Sequence, residues 1–127
     1  MIKDKKIVTY KDLDVWKKSH ELTIRIYRIT NNFPKDEIYG LISQLRKASY
    51  SIPANIAEGN GKQYLKEYIQ YLYISKSSLN EVEYFLLLSK DLDYMNINEY
   101  DELVIRVNVI DKMLIGLIKS LKKKTNN

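Results

Sequence analysis

From Leu65 to Leu86 the chain reads LKEYIQYLYISKSSLNEVEYFL. Leu65, Tyr68, Leu72, Ser75, Leu79, Val82 and Leu86 recur in it at alternating steps of three and four residues, with no glycine or proline between them. That spacing keeps one set of side chains on one face of a 3.6-residue helix and fits no strand, whose faces alternate every second residue. At ~1.5 Å per residue the segment predicts a helix of more than about 30 Å. A helix with one apolar stripe has to bury it against other helices.

The neighbouring sequence supplies those partners. Upstream, Val15, Ser19, Leu22, Ile26, Ile29 and Phe33 form a first stripe, widened by Trp16 and Tyr27 and stopped by Pro34. Ile38, Leu41, Leu45, Ala48, Ile52 and Ile56 form a second, entered through the acids Asp36 and Glu37 and closed by Gly59-Asn60-Gly61. Downstream, Tyr100, Leu103, Val107, Ile110, Leu114, Leu117 and Leu121 form the fourth, with Asn96 or Asn98 as its cap. Ile105, Val107 and Val109 alternate like an edge strand, but the helical period extends on both sides of them and a strand would find no partner among three helices. Four helices joined by short loops predict an all-α, antiparallel up-down-up-down four-helix bundle.

A chain of 127 residues suits a single domain, here 1–127 with its core at about 10–121 and basic tails at both ends. With 45% hydrophobic and 29% charged residues it reads as globular rather than disordered. The absence of cysteine excludes a disulfide framework, a thiolate metal site and a cysteine nucleophile, and makes the cytoplasm the default compartment. The first eleven residues lack the apolar core of a signal peptide, and no run approaches the ~20 apolar residues of a membrane span.

Charge is segregated along the chain beneath a net charge of +5. In the up-down-up-down order, one pole gathers Lys3, Lys5, Lys6, Lys11, Lys17, Lys18, Lys62, Lys66, Lys119, Lys122, Lys123 and Lys124, against Asp4, Asp12, Asp14, Glu58 and Glu67. The other collects Asp36, Glu37, Asp91, Asp93, Glu99, Asp101 and Glu102. The molecule is expected to be an electrostatic dipole, basic at the end that carries both termini.

Catalytic chemistry is scarce. His20 is the one histidine, set mid-helix beside Glu21, and no Glu-x-x-His pair of the di-iron type exists, so no metal or other cofactor is expected. Gly59-Asn60-Gly61-Lys62 lacks the Gly-Lys-Ser/Thr spacing of a phosphate loop and reads as a helix C-cap. Pro53 breaches the local rules, since inside a helix it removes an N–H and crowds the carbonyl of Ser49. It reads either as a kink wrapping helix 2 around its neighbours, or as part of a polar cluster of the freed carbonyl, Asn55 and Glu58 at a contact site. Apolar residues exceed one stripe per helix: Tyr71, Tyr73, Ile74, Phe85, Leu87, Leu88, Ile24, Val104, Ile105, Val109, Ile115 and Ile118 fall off the core faces. Together with eleven tyrosines they predict a homo-oligomer, with Tyr71, Tyr73, Ile74, Ile105 and Val109 as interface candidates. Aligned subunits in a ring would sum their basic poles into one strongly positive face.

Tyr10-Lys11-Asp12-Leu13-Asp14-Val15-Trp16, Ser51-Ile52-Pro53-Ala54-Asn55-Ile56-Ala57-Glu58-Gly59 and Ser78-Leu79-Asn80-Glu81-Val82-Glu83 resemble the bacterial four-helix-bundle family encoded within 23S rRNA intervening sequences. The likeness spans roughly residues 9–121, and its most specific segment carries Ser51, Pro53, Asn55, Glu58 and Gly59. Ser75 and Ser77 stand where the family often has Ala and Gly. The same family includes the accessory variability determinants of diversity-generating retroelements, which are basic, barrel-like pentamers that bind nucleic acid and a reverse transcriptase. The resemblance therefore implies a pentamer and carries over no catalytic residue.

The expected function is that of a non-enzymatic oligomer whose basic face engages structured RNA or RNA/DNA without reading sequence, through Lys17, Lys18, Arg25, Arg28, Lys62, Lys66, Lys119, Lys122, Lys123 and Lys124. The alternative is a scaffold whose tyrosine-rich surface recruits a partner such as a reverse transcriptase. No membrane partner is expected.

Overall fold

The alternating pattern folds as four helices, in a computed structural model that describes residues 9–125. A 3₁₀ turn at Tyr10–Asp12 leads into α1 (Asp14–Thr30), and a second at Lys35–Glu37 precedes α2 (Leu41–Asn60). Helices α3 (Leu65–Asp91) and α4 (Ile97–Thr125) complete an all-α four-helix bundle. Leu22, Ile26, Leu45, Ile52, Leu72, Leu79, Leu103 and Leu114 from the four stripes meet in one buried core. Residues 105–109 are helical, as the longer period requires. A strict seven-residue repeat drifts on a straight helix. Near the end of α4, Ile118 is accordingly buried in place of Leu117.

Polar side chains set the helix ends. Asn96 caps α4: its Oδ1 accepts from the Glu99 N–H at 2.8 Å, while its own N–H donates to Glu99 Oε1 at 3.1 Å. The start of α2 departs from expectation. It begins at Leu41, and Ile38, assigned to the stripe, is 50% exposed. Glu37 still serves the helix from outside, because its Oε1 accepts the Leu41 N–H at 3.1 Å and its Oε2 accepts the Tyr94 hydroxyl at 2.7 Å. Those two donors hold the Glu37 carboxyl below its ordinary pKa. Helix α3 closes with the Asp93 N–H on the Lys90 carbonyl and the Tyr94 N–H on that of Ser89, both at 2.9 Å. That is the Schellman arrangement, with Asp93 at φ 62° where glycine is usual.

Gly61 is the C-cap of α2, as expected, its N–H donating to the Ala57 carbonyl at 3.3 Å, but at φ −82° it lies in the right-handed rather than the left-handed region, and Gly59 is buried in the last turn of the helix. A Cβ on Gly59 would stand 2.7 Å from Tyr71 Cβ and 3.2 Å from the Tyr68 carbonyl, so glycine is required there to let α2 and α3 approach.

Pro53 is paired from two sides. The Ser49 carbonyl that loses its helical donor accepts from Thr23 Oγ1 of α1 at 3.0 Å, a proton shared with the Ser19 carbonyl at 2.9 Å. On the α3 side, Ser75 Oγ donates to the Ile52 carbonyl at 2.9 Å. The expected single polar cluster is therefore divided. Asn55 donates to Ser51, which also receives Ser78 Oγ at 2.9 Å, while Glu58 pairs with Lys62 at 3.3 Å on the helix surface. No buried side-chain N or O among the described residues lacks a partner.

The α1–α4 seam is tied by Glu102, which accepts from Arg25 at 2.7 Å and from Arg106 at 3.1 Å. Arg25 is the main reason the Glu102 carboxyl lies below its ordinary pKa, against the opposing pull of burial. Across the other seams, Arg46 of α2 reaches Thr30 of α1 at 2.8 Å, and Lys76 of α3 pairs with Asp111 of α4 at 2.6 Å.

Three outcomes are expected in equilibrium unfolding. Thr23→Val, which orphans the Ser49 carbonyl without changing side-chain volume, costs about 1–3 kcal/mol; the same change in a Pro53→Ala background, where an N–H is restored, costs far less. Asp93→Gly relieves the left-handed backbone and raises stability by roughly 0.5–1 kcal/mol. The Glu102 network, partly open to solvent, contributes less than about 1 kcal/mol. Because the folded pKa is depressed, that contribution is full above the ordinary carboxylate value and is lost as pH falls below it through the folded value. Glu102→Gln should therefore lower stability at neutral pH, make no difference at the acid end, and so flatten the pH dependence between them.

Candidate nucleic-acid interface

The lysines expected at the basic pole lie in three chain segments among the described residues. The first is the start of α1. Thr9 and Asp12 cap its leading 3₁₀ turn reciprocally, and that turn packs against α1 and α2. Tyr10 of that turn meets Trp16 edge-on with ring centroids 5.1 Å apart, and Trp16 stacks on His20 at 4.9 Å, so exposed His20 serves as an aromatic packing partner. Lys11, Lys17 and Lys18 project from this support and are exposed.

The second segment is the α2–α3 turn. Lys62 is half-buried, with its Nζ 3.3 Å from Glu58 and 5.2 Å from the Tyr71 ring centre, and the Glu58 bond is the main reason its pKa lies above the ordinary value. Lys66 is exposed. The third segment is the end of α4, where Lys119, Lys122, Lys123 and Lys124 are all exposed. Lys122 lies 5.2 Å from the centre of the Tyr73 ring, which brings the end of α4 against the first half of α3. A hollow of about 270 Å³ opens there, lined by Tyr73, Lys76, Ile115, Ile118, Lys119 and Lys122. No ion pair among the described residues engages Lys17, Lys18, Lys66, Lys119, Lys123 or Lys124, so their charges are available to an external anion. Lys3, Lys5 and Lys6 lie outside the described residues.

The arginines fall elsewhere. Arg25 is held by Glu102 on the α1–α4 seam, and Arg28 is exposed one turn further along α1. At ~1.5 Å per residue they sit about 10–15 Å beyond the lysines of the pole. Among the interface candidates, Tyr73, Ile74, Ile105 and Val109 are exposed, whereas Tyr71 is half-buried between Gly59 and Lys62 and belongs to the α2–α3 packing. The periodicity gave no sign of Arg46. Its guanidinium lies 4.6 Å from the Tyr27 ring centre and donates to Thr30 and Asn31, which ties the end of α1 to α2.

Among the described residues, no group of three or more His, Cys, Asp or Glu is placed to hold a metal. No described helix is long and apolar enough to cross a membrane.

Comparison with known proteins places this geometry. Residues 11–116 match the model of the 23S rRNA-intervening sequence protein family. A crystal structure of a protein of unknown function from the S23 ribosomal protein family of Bacteroides thetaiotaomicron superposes with a TM-score of 0.75 at 30% identity, covering 83% of this chain and 98% of that one. No match is found among curated proteins. With the match running from the cap of α1 into the last third of α4, the chain belongs to the 23S rRNA-intervening sequence protein family.

Proposed function

We propose that this is a non-enzymatic, oligomeric RNA-binding protein of the cytoplasm, whose basic pole holds the phosphates of structured RNA, or of RNA/DNA, without reading sequence. The observation that supports this reading is a set of six exposed lysines that no ion pair among the described residues engages: Lys17 and Lys18 in the first turns of α1, Lys66 at the start of α3, and Lys119, Lys123 and Lys124 at the end of α4, with Lys18 beside Ile105 and Val109. Phosphate contacts of this kind give affinity and register but little base discrimination.

Several finer features belong to the same reading. The helices run up-down-up-down as one domain, supported by contact pairs that descend along each neighbour: Thr23 with Ser49 and Thr30 with Arg46, then Ser75 with Ile52 and Ser78 with Ser51. Helix α2 bends at Pro53, which its missing N–H favours. Subunits stand side by side as a pentamer, as the likeness to accessory variability determinants implies, so that single poles add into one positive face.

Filter binding of a 23S rRNA insertion hairpin over a salt series tests this. Log affinity should fall linearly with log salt, by about 0.7–0.9 per phosphate contacted. Combined Lys17→Glu, Lys66→Glu and Lys119→Glu should reduce affinity by more than about tenfold and flatten that slope. No binding at about 50 mM salt overturns the proposal.

A further inference from the structure

The hollow between α3 and α4 joins an aromatic wall to unpaired cations. Tyr73 is 42% exposed and Ile115 38%, while Ile118 beside them belongs to the core. The remaining lining residues are Lys76, Lys119 and Lys122. No carboxylate lines the hollow, and Asp111, one turn before Ile115, is already taken by Lys76 at 2.6 Å. Lys119 and Lys122 enter no ion pair among the described residues. An apolar recess with a cationic rim suits a ligand that is flat and apolar in one part and anionic in another.

Size and contacts narrow that ligand. At about 270 Å³ the hollow falls just below the roughly 300–1,000 Å³ of clefts that take a whole drug-sized molecule, which leaves room for one nucleobase but not for a run of them. Within the chain, the Tyr73 ring is met by the Lys122 ammonium, 5.2 Å from its centre. A cation–π contact at an exposed site is weaker than a base stacked on a tyrosine ring, so an incoming base displaces the ammonium and frees it for a phosphate. Lys66 precedes Tyr73 by seven residues, two turns back on the same face of α3 and about 10 Å away along the helix. Cations therefore stand beside the hollow on α4 and along α3 from it. A duplex has its bases stacked on one another and offers no free face, whereas loops, bulges and ends do.

We infer that this hollow takes one unpaired nucleobase of a bound RNA, stacked on Tyr73 against Ile115, with its phosphate at Lys119 and Lys122 and a neighbouring phosphate toward Lys66. The inference rests on the RNA-binding reading above and gives it a substrate class: RNA that carries unpaired nucleotides beside a stem, in preference to uniform duplex. Apart from the Tyr73 hydroxyl and the lysine ammoniums, no side chain of the lining can hydrogen-bond a base edge, so the site tolerates every base.

Three RNAs of equal charge test it on the full chain by filter binding: a hairpin with a single-stranded loop, the same hairpin with abasic loop residues, and a blunt duplex. The unmodified chain should bind the first roughly fivefold or more tighter than the other two. Tyr73→Leu, at an exposed position where unchanged helicity by circular dichroism confirms folding, should lose that preference, leave duplex binding and the salt slope as they were, and become indifferent to the abasic change. Tyr73→Phe should keep the preference, since the ring face is retained. Iodouracil placed in the loop should photocross-link to Tyr73. Equal binding of the intact and abasic hairpins, or a Tyr73→Leu loss shared by hairpin and duplex, overturns the base site and leaves RNA binding standing. Displacement of the hairpin by micromolar adenosine monophosphate assigns the hollow to a free nucleotide and overturns the RNA source. No binding of any of the three at about 50 mM salt overturns RNA binding and the base site together.

Discussion

A helix with a proline in its middle must find a donor for the carbonyl it strands, and the arrangement of this bundle follows from where that donor comes from. Pro53 leaves the Ser49 carbonyl open in a buried position, where an unmet acceptor costs about 1–3 kcal/mol. Thr23 meets it from α1, and Ser75 binds the adjacent Ile52 carbonyl from α3. A hydroxyl on each neighbouring helix thus registers against one turn of α2. Apolar stripes alone tolerate sliding by a turn, because leucine packs on leucine at any level. The two hydroxyls remove that freedom, and with it any uncertainty about which residues share an end of the molecule. The basic pole depends on that register: displacing α1 by a turn would carry Lys17 and Lys18 about 5 Å from Lys62 and Lys66.

How much of this the sequence carried depends on the kind of signal. Long uninterrupted stripes such as Leu65 to Leu86 are legible because burial repeats the same information many times. Ile38 misled because its spacing continues a helix that Gly40 and the Glu37 cap start three residues later. Gly59 stands in the last turn of α2, where the glycines mark the helix end, but its second role, admitting α3, shows only in the position of Tyr71. Tyr71 was assigned outward for the complementary reason, since the space it fills is created by a missing side chain on another helix. The pairing of Arg25 with Glu102 joins residues 77 apart in the chain, and nothing local announces it.

The surface divides into regions with different demands. In the proposed ring, lysine-rich ends of aligned copies repel and therefore favour neither folding nor assembly by themselves. The sides of the bundle hold the exposed apolar residues, interleaved with charges of both signs. Assembly of the proposed ring along the sides has to offset that repulsion between the ends.

Helix electrostatics sorts the lysines of the pole further. Lys122, Lys123 and Lys124 lie in the last turn of α4, where the helix dipole favours cations, so local stability alone accounts for their presence. Lys17 and Lys18 in the first turns of α1, and Lys66 near the start of α3, sit where the dipole disfavours them, typically by 0.3–1 kcal/mol each. Asp14 and Glu67 beside them meet that preference in part and could have met it better without the lysines. Local helix electrostatics therefore does not account for Lys17, Lys18 and Lys66, and the phosphate contacts proposed for them would.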